Sequence, residues 1–321
     1  MREIRFDRAF SHRRDAENAE LKPFFCFSLR PLRLCDKMWV ITSTISAPGS
    51  RQEAPAKPVT LYLPFAHSWF IIPPMVVLTV LLGLLAGGLV NQLGSDLPAR
   101  RSLTSPHCPY CGRNRPWWQW LAVLSYLIGR AHCPYCGAQI SLRHPLTEIG
   151  LAVTYGYLWI VLGPSLKLLF YLLYSAIFAL VLITDIERRL ILNVVMYPAI
   201  LLAFAASFFT PGLTWWSALT GGATGFVVFL VAAIVGNTLF GSGALGGGDV
   251  KLAAFVGLIT GFPLIVEALV LTMLIGAGIS LILLITRARG LRDYIPYGPF
   301  LIAGAAITLL WGYPIAERFL Y

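Results

Sequence analysis

Gly246-Gly247-Gly248-Asp249-Val250-Lys251 ends a long stretch without charge: from Leu190 to Gly248 the chain has no Asp, Glu, Lys or Arg. An uncharged run of that length followed by an acid reads as membrane-spanning segments with a carboxylate at their edge. An ionisable group there is costly to hold, so Asp249 is a candidate functional residue. The three glycines before it lack a Cβ and would let another backbone come close. The structural alternative is a cap, with Asp249 accepting amide hydrogen bonds at the start of a helix expected from Val250. Asp185, in Leu182-Ile183-Thr184-Asp185-Ile186-Glu187-Arg188-Arg189, closes another apolar run in the same way. If the two acids face one another they cannot both ionise cheaply, so the pair shares a proton as an aspartic-protease dyad does. The ionised member can then take a proton from attacking water while the other donates to the developing oxyanion.

Composition sets the class. Of 321 residues, 57% are hydrophobic and 12% charged, against about 25% charged in a soluble domain. The expected fold is an all-α polytopic membrane protein with eight spans, near 68–92, 149–164, 168–184, 190–210, 214–240, 250–262, 264–286 and 296–314. Breakers at Gly163-Pro164, Pro211-Gly212 and Gly261-Phe262-Pro263 separate them. Arg100, Arg101, Arg113, Arg115, Arg130 and Arg143 lie between the first two spans, and Arg188, Arg189, Lys251, Arg287, Arg289 and Arg292 fall in later connections of the same parity. The alternate connections are nearly bare of positive charge, Lys167 excepted. Basic connections belong in the cytoplasm, so Asp185 and Asp249 are both expected on that edge. The net charge of +10 then reflects topology and contact with anionic lipid of the bilayer, and no nucleic acid is expected as a partner.

Cys108-Pro109-Tyr110-Cys111-Gly112 and Cys133-Pro134-Tyr135-Cys136-Gly137 are two Cys-x-x-Cys turns separated by 21 residues. Four thiolates at this spacing suit a tetrahedral Zn2+ with no open position, a structural site. Two disulfides or an iron–sulfur cluster are the rival readings, the first disfavoured in a reducing compartment. His107 and His132 adjoin the cysteines as substitute ligands. Between the knuckles, Trp117 to Ile128 is aromatic and apolar, a stretch that either packs a small domain or lies on the membrane surface. Glu148 either pairs with a loop arginine or caps its helix, with binding the further option. Glu187 is expected to be a solvated charge paired with Arg188 or Arg189, and Lys251 to mark the membrane boundary. Gly83, Gly87 and Gly88 lie at helical spacing for close packing, and Asn91 can bond across helices.

Taken in order, these motifs resemble the type IV prepilin peptidase family. The similarity runs from about residue 70 to the end of the chain. It covers Gly87 to Pro98, the first knuckle from Ser105, Leu124 to Leu127, the second knuckle and Arg143 to Glu148. It continues through Asp185-Ile186-Glu187 with Leu192 to Val195, Gly246 to Leu252 as a Gly-x-Gly-Asp block, and Ile295 to Leu301 as a Pro-x-Gly-Pro motif. The resemblance implies an aspartic endopeptidase, Asp185 and Asp249 catalytic, that cuts after the glycine ending a basic leader of pilin or pseudopilin precursors. It also implies a multi-pass protein of the inner membrane, and a second reaction in which S-adenosylmethionine methylates the new N-terminus, with Glu148 a candidate at that site. The family's usual Tyr-Arg-Leu-Pro stands here as Ser95-Asp96-Leu97-Pro98, so the methyl-transfer motifs match at all but this point.

The implied organisation is an irregular extension over 1–65, a first transmembrane helix over 66–95, a cytoplasmic four-cysteine domain over 96–148 and a transmembrane peptidase domain over 149–321. One account of the extension, with its unrelated Cys26 and Cys35, is a functional start downstream at Met38 or Met75. Two other classes use acids in membranes. One is a presenilin-like intramembrane protease, whose first aspartate follows a tyrosine where Asp185 follows Thr184; the other is a proton- or ion-coupled transporter.

Overall fold

The computed structural model describes residues 74–99, 105–108, 110–240, 246–287 and 296–320, with no account of the side chains of 240 and 313–320. The expected N-terminal extension, its two cysteines, and Arg100, Arg101, Arg289 and Arg292 lie outside the described residues. All described residues belong to one compact unit within 55–321.

Nine α-helices are present among them: α1 (Pro74–Asp96), α2 (Ala122–Leu127), α3 (Arg143–Leu162), α4 (Leu166–Arg188), α5 (Asn193–Ser207), α6 (Trp215–Phe240), α7 (Gly247–Thr260), α8 (Leu264–Ile285) and α9 (Gly298–Leu320). A single 3-10 turn (Trp117–Gln119) precedes α2. Strands are absent from the described residues, which hold only two isolated β-bridges, one per cysteine turn. The all-α membrane architecture is as expected, and α1 with α3–α9 supplies the eight long helices. Five of these (α1, α3, α4, α6 and α8) are long and apolar enough to cross a membrane. Apolar side chains on their outward faces, such as Leu78, Leu85, Met273 and Ile282, stay more than half exposed. Only a lipid solvent makes that surface inexpensive.

Two helix starts differ from expectation, each for a local reason. α3 begins at Arg143 because Pro145 fits the first turn, where its missing N–H is not needed. Helix α7 begins at Gly247, so Asp249 stands in its first turn and Gly246 is the N-cap. The boundary between α4 and α5 is set by Arg189 in the left-handed region (φ 52°), whose amide bonds back to Asp185 O at 2.8 Å.

Helix pairs close on glycines. A Cβ on Gly83 would stand 2.6 Å from Ala152 Cα, and one on Gly87 would stand 2.5 Å from Glu148 Cα. This brings α1 and α3 to backbone contact, as small residues do in membranes. Gly225 and Gly257 do the same for α6 and α7, where an added Cβ would strike backbone of the facing helix. Helix α7 is the centre of the bundle, with Leu252, Ala253, Phe255 and Val256 fully buried. Phe255 meets Tyr174 and Phe178 of α4 edge-to-face at 5.8 and 5.7 Å between ring centroids. That cluster locks α4 beside α7.

Candidate active site

α4 ends and α7 starts at the same end of the bundle, so Asp185 in the last turn of one and Asp249 in the first turn of the other come together. Both line one cavity of about 220 Å3 with Arg189, Leu190, Ile191 and the three glycines 246–248. Their side chains are buried, at 5% and 4% exposure, yet close enough for the charge of Asp185 to act on Asp249. Each carboxylate is held by a backbone amide. Asp249 accepts from the Gly246 amide while its own amide donates to Gly246 O at 3.1 Å. This is a reciprocal bond of the capping-box kind. Expected capping thus exists in altered form: Asp249 is the third residue of α7 rather than its cap. Asp185 accepts from the Gly298 amide at the start of α9, and its Oδ2 is buried without a hydrogen-bond partner among the described residues.

The glycines have separate tasks. A Cβ on Gly248 would stand 2.7 Å from Ile191 Cβ, and one on Gly298 would fall onto the Asp185 carboxylate. Gly298 is a site residue whose contact the sequence did not disclose: its motif stood out, but nothing in the spacing linked it to Asp185. One neighbour differs from expectation. Glu187 pairs with Arg143 of α3 rather than with Arg188 or Arg189, because the last turn of α4 presents it towards the start of α3. Arg143 also donates to Ser95 Oγ at 3.1 Å, so it ties α1, α3 and α4 together. Lys251 donates to Asn193 Oδ1 at 2.6 Å and lies over the Tyr197 ring, which keeps it on α5.

The four cysteines Cys108, Cys111, Cys133 and Cys136 converge with their sulfurs within 4.8 Å of one another. The two turns are copies. Cys108 N donates to Arg113 O and Gly112 N to Cys108 O, while Cys133 N donates to Ala138 O and Gly137 N to Cys133 O, all at 2.8–2.9 Å. Gly112 and Gly137 sit at φ 70° and 72°, a region costly for other residues. Sulfurs across the turns are 3.7 Å apart. A disulfide needs about 2.05 Å, whereas a tetrahedron with metal–sulfur bonds of about 2.3 Å has edges of about 3.8 Å. All four are free thiols, and a metal ion fits among them. Burial opposes ionisation of Cys133, but the Tyr135 and Cys136 amides and neighbouring thiols bring it down to about 6. The Ala138 amide favours the Cys136 thiolate, yet burial and the other three sulfurs push it up to about 12. Such opposed thiols need a cation before all can ionise. His107 and His132 are not in the cluster; the His107 ring faces Asp96 at 3.9 Å.

A second polar cavity, about 260 Å3, opens between α1, α3 and the cysteine turns, lined by Asn91, Asp96, His107, Arg143, His144 and Glu148 among others. Among the described residues Glu148 neither pairs with an arginine nor caps its own helix. Its oxygens accept the amides of Ala122 and Val123 at 2.9 Å, so it caps α2 from α3. Asn91 donates to His144 O at 2.9 Å and to Glu148 at 3.4 Å, as a cross-helix bond. Its Oδ1 is buried with no partner among the described residues. Asp96, noticed in the sequence only as a departure from a motif, is 1% exposed and accepts from Gln92 at 2.6 Å.

Comparison with known proteins follows the same division. Residues 170–281 match the type IV leader peptidase family, and residues 81–162 match the bacterial peptidase A24 N-terminal domain. The chain is 28% identical to the prepilin leader peptidase/N-methyltransferase of Bacillus subtilis (strain 168), over 74% of this chain and 95% of that protein. It is also 28% identical to the protein of that name from Pseudomonas aeruginosa, over 76% and 93% respectively. A Pseudomonas putida protein, again of the same name, is 29% identical over 65% and 73%. No solved structure matches the chain.

Proposed function

The chain belongs to the type IV leader peptidase family, and on that premise we propose that Asp185 and Asp249 are the catalytic dyad of an endopeptidase that removes the leader from type IV prepilin or pseudopilin precursors. One observation carries the reading: both carboxylates line a single cavity beside three glycines, where a substrate backbone can approach. Water between the carboxyls attacks the scissile carbonyl carbon. The ionised carboxylate takes the water's proton, and the protonated one donates to the carbonyl oxygen. As the tetrahedral intermediate collapses, one hydroxyl of the diol gives its proton to the ionised carboxylate, the C=O re-forms, the C–N bond breaks and the amine leaves with the proton of the other carboxyl, which restores the singly protonated dyad. Which acid holds the proton at rest is a property of the pair.

Arg143, Arg188, Arg189 and Lys251 cluster at the end of the bundle that carries the dyad. Basic residues favour the cytoplasm, so cleavage takes place at the cytoplasmic edge of the inner membrane. There it falls after the glycine that ends the basic leader, while the apolar helix of the precursor stays in the bilayer. The cysteine cluster holds structural Zn2+: four thiolates fill a tetrahedron and leave no position for substrate.

Methyl transfer has its own supporting observation, the unpartnered Asn91 Oδ1 in the second cavity. S-adenosylmethionine, the cofactor the family resemblance implies, supplies a transferable methyl group. Asn91 and Asp96 are the residues that would hold it, and Glu148, engaged with α2, shapes the wall. The test is the mass of the mature N-terminus of a co-expressed precursor, which reads both reactions at once. Asp185→Asn and Asp249→Asn are each expected to slow cleavage by at least about 100-fold. Normal processing by either variant removes the dyad. Asn91→Ala should leave cleavage in place and yield product lacking the added methyl.

A further inference from the structure

The segment Trp117–Ile128 has two faces. Gln119, Ala122 and Ser125 are buried, whereas Trp117 (73%), Leu124 (37%), Leu127 (79%) and Ile128 (51%) are exposed, and Trp120 borders the polar cavity of Asn91 and Asp96. Leu124, Leu127 and Ile128 follow helical spacing on α2 and form one stripe, with Trp117 ahead of it in a 3-10 turn that the extended Leu121 separates from α2. Left in water, such a stripe would be unpartnered apolar surface.

Its depth says what covers it. Leu121 Cδ2 lies 3.1 Å, and the Trp120 carbonyl oxygen 3.6 Å, from where a Cβ of Gly88 would stand. Gly88 is eight residues before the end of α1 at Asp96, about 12 Å down the helix axis. The segment is therefore sunk alongside a membrane-spanning helix instead of standing above its end. On that stretch of α1, Leu85 and Leu89 are 60% and 59% exposed, and the outward surface of a membrane span meets acyl chains.

We propose that the 3-10 turn and α2 form an interfacial element, embedded at the headgroup and acyl boundary of the leaflet at the dyad end, with a phospholipid surface as their partner. Tryptophans suit that boundary, and the exposed Arg130 just beyond Ile128 is positioned for lipid phosphates. The element anchors the cysteine turns against the membrane through a patch on one side of α1.

The full chain, carrying photoreactive benzoylphenylalanine in place of Trp117 or Leu127, is reconstituted into vesicles of phosphatidylethanolamine and phosphatidylglycerol and irradiated. Adducts are identified by mass. Position 89 on α1 serves as the lipid-facing control, and Asn114, exposed beside the first cysteine turn, as the aqueous one. Lipid adducts at 117 and 127 should match those at 89 and exceed those at 114 by about tenfold. Yields equal to those at 114, or adducts with a second protein chain, overturn the proposal. Each variant is checked for an unchanged thermal unfolding midpoint; if one fails, position 124 or 128 reports in its place.

Discussion

Gly298 shows how one missing methyl group serves the site. Its amide donates to Asp185 and its Cα lies against the same carboxylate, so a methyl group there would displace the acid. Gly298→Ala is expected to lower precursor cleavage by about 100-fold through misplacement of Asp185, the acid proposed above to react. Its thermal unfolding midpoint should change little, because the first turn of α9 accepts Ala. Parent-like cleavage would show that the contact is dispensable. At this scale the sequence disclosed the acids and cysteines, because isolated carboxylates beside apolar runs and paired Cys-x-x-Cys turns are chemically unusual. It did not disclose partners across the fold. Its neighbours in sequence suggest an arginine partner or a cap of its own helix for Glu148, but its role as a cap for α2, 25 and 26 residues away in sequence, depends on α1 and α3 meeting at Gly87. The pairing of Glu187 with Arg143 was hidden for the same reason.

Helices α4 and α7 are the elements whose alignment brings the two acids together, and Phe255 reaches from one to the other. The ring is fully buried and meets Tyr174 and Phe178 edge-to-face. Phe255→Ala should cost about 3–5 kcal/mol by removing a buried aromatic ring, read as an earlier loss of the monodisperse peak on heating in detergent. An unchanged profile would mean that the ring cluster does not hold the two helices. Helix existence was legible here because charge-free runs between Gly and Pro breakers leave few alternatives. Starts were less so: Arg143, His144 and Glu148 resemble a polar loop, yet all three lie in α3, with Arg143 and Glu148 satisfied by other elements. The first turn of α7 was missed because three consecutive glycines do not favour a helix, and the reciprocal bond between Gly246 and Asp249 supplies what propensity lacks.

On the scale of the molecule, Cys108 lines a cavity of its own with Arg143 and Glu187, apart from the cavity of Asp185 and Asp249. Cys108→Ser should therefore lower bound zinc well below the level of about one ion per chain expected for a four-thiolate site. Metal analysis of the purified protein reads this directly, and equal zinc in the variant and its parent would remove the assignment. The central position of α7 carries a consequence for how the chain is made. At 14 residues it spans about 21 Å, short of the ~30 Å of hydrocarbon, and it begins with an acid and soon a lysine. A segment of this kind partitions poorly into lipid alone. During synthesis the insertion machinery must either retain it until α8 emerges or release it directly into a cradle of α5 and α6 already in the bilayer. The Asp249 carboxylate, proposed above as one of the dyad, would then be among the last groups to leave water, and the site would be complete only when its walls are.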